Sequence, residues 1–79
     1  MGDHDVLSII PGDVLSAAQH SLPDATLSEE NAMRVVVDLP GGLRAQVTFC
    51  RVKYKRPQYG GRRFRLRWFW DPVSAVLLE

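Results

Sequence analysis

The residues that could carry out chemistry lie mostly in one segment, from Phe49 to Trp70. All seven aromatic residues of the 79-residue chain and eight of its ten basic residues lie there, and the segment holds no Asp or Glu. The net charge of the whole chain is only +1, so the cations do not outnumber the acids by much but are clustered in one segment of the sequence. Such a concentration raises a positive potential that attracts polyanions. The sequence therefore predicts contact with nucleic acid or with an acidic protein surface.

The two halves of the chain carry opposite charge. Residues 1–40 hold seven acids and one base, a balance of −6, whereas residues 41–79 hold nine bases and two acids, a balance of +7. An internal role is an alternative to binding, because the acidic half could fold over the basic half and neutralise it. As a further alternative, the cations could have no binding role and serve only to discourage aggregation at a sheet edge.

The residue types in this segment suit two kinds of contact. Arginine outnumbers lysine, and its planar fork makes bidentate hydrogen bonds to phosphate or carboxylate. Aromatic rings on outward positions can stack on bases, and a two-stranded ribbon can enter a major groove. The candidate binding residues are Arg51, Lys53, Tyr54, Lys55, Arg56, Tyr59, Arg62, Arg63, Arg65, Arg67 and Phe69. No helix-turn-helix, zinc-finger or RNA-recognition signature accompanies them, so DNA, RNA and protein stay open as partners.

Catalytic and metal-binding residues are sparse. Cys50 is the lone cysteine, and His20 is the only plausible base for it, but nothing in the sequence places the two together. The Asp3-His4-Asp5 run has no second group of ligands. We therefore expect a non-catalytic protein with no cofactor and no metal.

The same composition bears on location. No apolar run approaches the roughly 18–20 residues needed to cross a bilayer, and the acidic N-terminus lacks the positive start of a secretory signal. A lone cysteine fits a reducing compartment. The expectation is a cytoplasmic protein without membrane contact, similar in size and composition to the small accessory proteins of phages and mobile elements.

One helix is predicted near residues 11–21. Pro11 suits a first helical turn, Asp13 suits the positive helix N-terminus, and Pro23 ends the pattern. Residues 1–8 are expected to be flexible. For residues 25–31 the sequence leaves two alternatives, a helical turn at 27–31 or a short strand at 25–27 followed by a tight turn.

Three strands follow from alternating apolar residues. The first spans 33–39 and turns at Pro40-Gly41-Gly42; the second covers about 44–54; the third covers about 63–70. Residues 71–79 favour a last strand or an extended tail, with a helix after Asp71-Pro72 as the alternative. The fold class is thus α+β: a single small domain over residues 1–79, with one N-terminal helix packed on a three- to four-stranded antiparallel meander.

The alternation also assigns faces. Phe49, Phe64, Leu66, Trp68 and Trp70 are predicted to face the core. After Cys50 the apolar phase shifts to Val52 and Tyr54, which indicates a β-bulge or a strand that extends past its neighbours. This shift would turn the cations of the segment outward.

The leading hypothesis is a small binding protein whose basic, aromatic β-hairpin contacts nucleic acid. A second is a protein-targeted regulator or inhibitor that uses the same hairpin against an acidic surface of a larger complex. A third is a homodimer joined through an exposed edge strand.

Overall fold

The structure is a computed structural model that describes residues 5–57 and 64–78, and the side chains of residues 5–54 and 67–78. Within this part of the chain one helix, α1, packs on three strands, β1 to β3. Antiparallel pairing in the order β1-β2-β3 makes the sheet a meander. The predicted α+β class is confirmed, with three strands. The bounds are α1 Gly12–His20, β1 Ala32–Leu39, β2 Leu43–Pro57 and β3 Phe64–Leu78.

Helix α1 follows the predicted signals. Pro11 is its N-cap residue and Asp13 lies in the first turn, where a carboxylate meets the positive end of the helix dipole. In the last turn, Nδ1–H of His20 donates to the carbonyl oxygen of Ser16 at 2.7 Å. The segment after the helix contains a turn at 25–27 and neither the short helix nor the short strand.

A tight turn joins β1 and β2. Gly41 and Gly42 have φ of 82° and 77°, a left-handed conformation that glycine adopts without the steric cost that a Cβ brings. The turn pairs Leu39 with Leu43, and from there the register runs without a break to Ala32 opposite Cys50. The predicted hairpin is therefore confirmed with a β1 one residue longer.

Strand β3 differs from the prediction because it continues through Asp71-Pro72. Opposite Thr48 and Phe49 the register shifts, since Thr48 pairs with Ser74 while Phe49 pairs with Pro72. Val73 is the additional residue of this β-bulge. Proline is tolerated at bulges and on edge strands, where no ladder hydrogen bond needs its missing N–H. Residues 71–78 are thus the second half of β3, rather than a separate strand or a helix.

The core lies between α1 and one side of the sheet, which we call the covered face. It carries Ala45, Val47 and Phe49, all fully buried, and α1 contributes Ala18. The other side, the open face, carries Gln46, Thr48 and Cys50, which are half-buried.

The N-terminal segment is attached to the outer edge of β3. The N–H of Ala75 donates to Asp5 Oδ1 at 3.0 Å, and the N–H of Val6 donates to the Ala75 carbonyl oxygen at 2.9 Å. Ile10, which follows, is buried. The prediction of a flexible segment through residue 8 is therefore corrected for residues 5–8, and residues 1–4 lie outside the described part.

Candidate nucleic-acid interface

Strands β2 and β3 extend beyond β1 as a two-stranded arm. Because β1 begins at Ala32 opposite Cys50, residues 51–57 and 64–70 pair only with each other within the sheet. Seven residues of strand add about 23 Å, and the molecule measures 49 × 23 × 22 Å. The arm therefore lies at one end of an elongated molecule.

At the base of the arm, Arg51 is attached to the segment that precedes β1. Its Nη1 donates to the carbonyl oxygens of Ala25, at 3.3 Å, and of Ser28, while Nη2 donates to Asn31 Oδ1 at 3.2 Å. The Arg51 backbone N–H also donates to the Asn31 carbonyl oxygen at 2.8 Å. These bonds occupy both terminal nitrogens. The prediction that Arg51 points outward to water is therefore wrong.

The covered face continues along the arm. Arg51 pairs with Trp70 and Lys53 pairs with Trp68. The Arg51 guanidinium carbon lies 4.2 Å from the Trp68 ring centroid, and Lys53 Nζ lies 5.7 Å from it. Both distances suit a cation–π interaction. The phase of β2 therefore does not shift after Cys50, and the bulge predicted there is wrong, since the register shift of the sheet has its additional residue in β3. The alternative, a strand that extends past its neighbours, matches β2, which continues beyond the start of β1.

Trp70 also joins the base of the arm to the segment around α1. It is 4% exposed, its Nε1–H donates to the Pro23 carbonyl oxygen at 2.8 Å, and its own carbonyl oxygen accepts from Nε2 of Gln19. Its predicted core position is confirmed. Trp68 is half-buried against the core, whereas the side chains of Phe64 and Leu66 lie outside the described part.

The open face of the arm presents a small aromatic and cationic surface, which we call the aromatic patch: Val52, Tyr54, Arg67 and Phe69. Tyr54 and Phe69 are 38% and 39% exposed. Their ring centroids are 5.2 Å apart and the planes meet at 73°, an edge-to-face contact. Arg67 is exposed and lies directly opposite Tyr54 in the register. The predicted outward positions of Tyr54, Arg67 and Phe69 match this arrangement.

The remaining candidate residues divide into two groups. The backbones of Lys55, Arg56 and Arg65 belong to the paired strands of the arm, with Arg56 opposite Arg65, and their side chains lie outside the described part. Tyr59, Arg62 and Arg63 lie wholly outside it. The described geometry therefore brings together Tyr54, Arg67 and Phe69 on one face and Lys53 on the other.

The structure places His20 and Cys50 on opposite sides of the sheet, because α1 packs on the covered face and Cys50 lies on the open face. Among the described residues no group of three or more His, Cys, Asp or Glu side chains could hold a metal ion. No helix in the described ranges is long and apolar enough to cross a membrane.

Sequence reasoning missed the carbonyl oxygens that hold Arg51. They come from Ala25 and Ser28, which lie more than twenty residues before Arg51. A backbone carbonyl carries no residue identity, so no motif marks it. The one local signal for a held Arg51 is its position in the hairpin, where it lies opposite a tryptophan on the core side.

Comparison of this chain with protein-family models, with curated proteins and with solved structures gives no match.

Proposed function

We propose that this chain is a small non-catalytic binding protein that contacts nucleic acid through the aromatic patch of its arm. The observation that carries the proposal is the exposed Tyr54–Phe69 pair beside Arg67, on an arm within a segment that lacks acidic residues. Bases stack on such rings at about 1–3 kcal/mol per base, whatever the sequence. Arginine next to the rings can bond a phosphate in bidentate fashion.

Exposed ring faces favour a single strand over a duplex, because paired bases are already stacked on each other. The edge-to-face geometry leaves at least one face of each ring free of the other ring. Arg67 and the backbone positions of Arg56 and Arg65 run along the same arm, so a strand that tracks the arm would pass several cations.

Binding of a fluorescent oligonucleotide, followed by anisotropy across salt concentrations, tests the proposal. With five phosphates neutralised, the slope of log affinity against log salt is expected to be about −3.5 for a single strand and −4 to −5 for a duplex. Tyr54→Ala is expected to weaken single-strand binding by about 5- to 150-fold. An affinity that does not change with salt, or no binding at low salt, would refute the proposal.

Arg44→Glu is the matched control for Arg67→Glu. Both residues are exposed on the open face, and both substitutions change the net charge by the same amount. Arg44 lies ten residues along β2 from Tyr54, about 33 Å away, well beyond a Debye length of about 10 Å at 0.1 M salt. We expect Arg67→Glu to abolish binding and Arg44→Glu to change it little. Equal losses would mean that net charge, rather than the patch, drives the contact.

A protein-targeted regulator or inhibitor, of the kind phages encode, is the second candidate. The Tyr54–Phe69 pair and its neighbour Val52 form an apolar centre with an arginine at its margin, a composition typical of protein hot spots. A pull-down with and without nuclease separates the candidates. A bound protein that survives nuclease and is lost in Tyr54→Ala would favour this second function.

A further inference from the structure

The two edges of the sheet differ in how they are protected. On β3, the outward backbone groups of Ala75 bond to Asp5 and Val6, the Trp70 carbonyl accepts from Gln19, and Pro72 has no N–H. These contacts block the stretch of the β3 edge from Trp70 to Ala75 against pairing with another strand. Strand β1 forms the other edge of the sheet.

The hydrogen-bond pattern identifies the free groups of β1. Because the N–H and C=O of Ala75 point away from the sheet, its partner Val47 directs its own groups toward β1, where it pairs with Val35. Odd-numbered residues of β1 thus bond to β2, and the outward groups belong to Arg34, Val36 and Asp38. Within residues 5–57 and 64–78, no hydrogen bond to these outward groups is found.

The same three residues have exposed side chains on the open face. Val36 is 49% exposed, with Arg34 two residues before it and Asp38 two residues after it. If a second copy of β1 pairs antiparallel with Val36 opposite Val36, then Arg34 of each copy lies opposite Asp38 of the other. Residues that exchange both backbone hydrogen bonds lie about 5.5 Å apart at Cα, which is close enough for an ion pair across the strands.

We propose that this chain forms a symmetric homodimer through antiparallel β1–β1 pairing centred on Val36, which joins the two sheets into one of six strands. Six backbone hydrogen bonds and two Arg34–Asp38 pairs specify the register. Shifting it by two residues places a charge opposite Val36, and parallel in-register pairing places like charges together. Pro40, which would face Ala32, ends the pairing because it has no N–H.

Apolar contacts on the covered face support the same dimer. An open groove of about 440 Å³ lies between α1 and β1 and is lined by Val14, Ala17, Val35 and Val37, among others. In the proposed register, Val35 of each copy lies opposite Val37 of the other, at the margin of this groove. The second copy would therefore cover apolar surface that the isolated chain leaves open.

Sedimentation or light scattering over a concentration series tests the dimer, with Arg34→Asp and Asp38→Arg as reciprocal variants. The parent protein is expected to approach twice the 8.9 kDa mass of the chain. Each variant alone places two like-charge pairs across the interface and should weaken self-association by about tenfold or more. Mixed together, the two variants form opposite-charge pairs at both positions, so a heterodimer should form. A mixture that stays monomeric at concentrations where the parent protein dimerises would overturn the proposal, as would a monomeric parent.

Crosslinking checks the register independently, in a Cys50→Ser background. Val36→Cys is expected to form an intermolecular disulfide on oxidation, because its Cα separation lies within the bonding range of about 4.4–6.8 Å. Arg34→Cys is the matched control, since its two copies are offset by four residues, about 13 Å. Equal crosslinking of both variants would contradict the register centred on Val36.

Discussion

Removing the Arg51 side chain tests whether the arm is held by specific hydrogen bonds or only by charge. Arg51→Ala deletes three hydrogen bonds to the 25–31 segment and the guanidinium that lies 4.2 Å from the Trp68 ring. At a net value of about 1 kcal/mol per bond the loss is about 3 kcal/mol, and the cation–π contact adds about 0.5–1 kcal/mol. Freeing the side chain returns up to about 2 kcal/mol of rotamer entropy. The expected decrease in the free energy of unfolding is therefore about 2 kcal/mol.

Urea denaturation followed by tryptophan fluorescence measures this decrease well. The chain has two tryptophans, Trp68 and Trp70, and both lie at the base of the arm. For a domain of this size, 2 kcal/mol corresponds to a fall in Tm of about 8–16 °C. A decrease below about 0.5 kcal/mol would refute the reasoning.

Two further variants separate the causes. Lys53→Ala is the matched control, because Lys53 Nζ lies 5.7 Å from the same ring centroid but its side chain is exposed. Its removal should cost less than about 0.5 kcal/mol. Arg51→Lys keeps the charge but loses the planar fork, so most of the Arg51→Ala effect should persist. Full stability in Arg51→Lys would show that charge alone is sufficient.

Three other substitutions probe the fold by the same denaturation assay. Phe49→Ala empties a fully buried position and should decrease the free energy of unfolding by about 3–5 kcal/mol. Trp70→Phe keeps most of the ring but removes the donor to the Pro23 carbonyl, so about 1 kcal/mol should be lost. Gly41→Ala places a Cβ at φ of 82° and should cost about 1 kcal/mol, even though the space around Gly41 is open.

The regular part of the fold could be predicted because each of its signals is local. Each signal acts within a few residues of its own position. These signals are the alternating apolar residues in β1 and the first half of β2, the Pro40-Gly41-Gly42 turn, and the start of α1 at Pro11 and Asp13. The continuation of β3 through Asp71-Pro72 could not be predicted in this way. It depends on β3 being an edge strand and on the bulge at Val73, and both are properties of the assembled sheet.

The candidate site was predicted in composition but only partly in orientation. Alternation along β3 predicts outward positions for Arg67 and Phe69, and the structure places both on the open face. The sequence pattern predicts outward positions for Arg51 and Lys53, whereas the structure places both on the covered face. The opposite strand supplies Trp68 there, and the preceding segment supplies carbonyl oxygens to Arg51, which together accommodate a guanidinium. Such compensation comes from residues distant in sequence, so no local pattern reports it.

The two proposals together make a prediction about ligand length. The two-fold axis of an antiparallel strand pair is perpendicular to the sheet, so both open faces of the dimer lie on one side. Tyr54 lies eight residues along β2 from Gln46, which pairs with Val36, a distance of about 26 Å. Because the arms point in opposite directions, their aromatic patches lie about 53 Å apart, equivalent to about 15 nucleotides of a stacked strand. Oligonucleotides longer than this should engage both arms and bind more tightly through effective concentration, whereas shorter ones should engage one arm. Asp38→Arg is expected to disrupt the dimer, so it should abolish the gain in affinity with oligonucleotide length and leave the affinity for short oligonucleotides nearly unchanged. If long oligonucleotides still bind this variant more tightly than short ones, the length dependence does not come from the dimer.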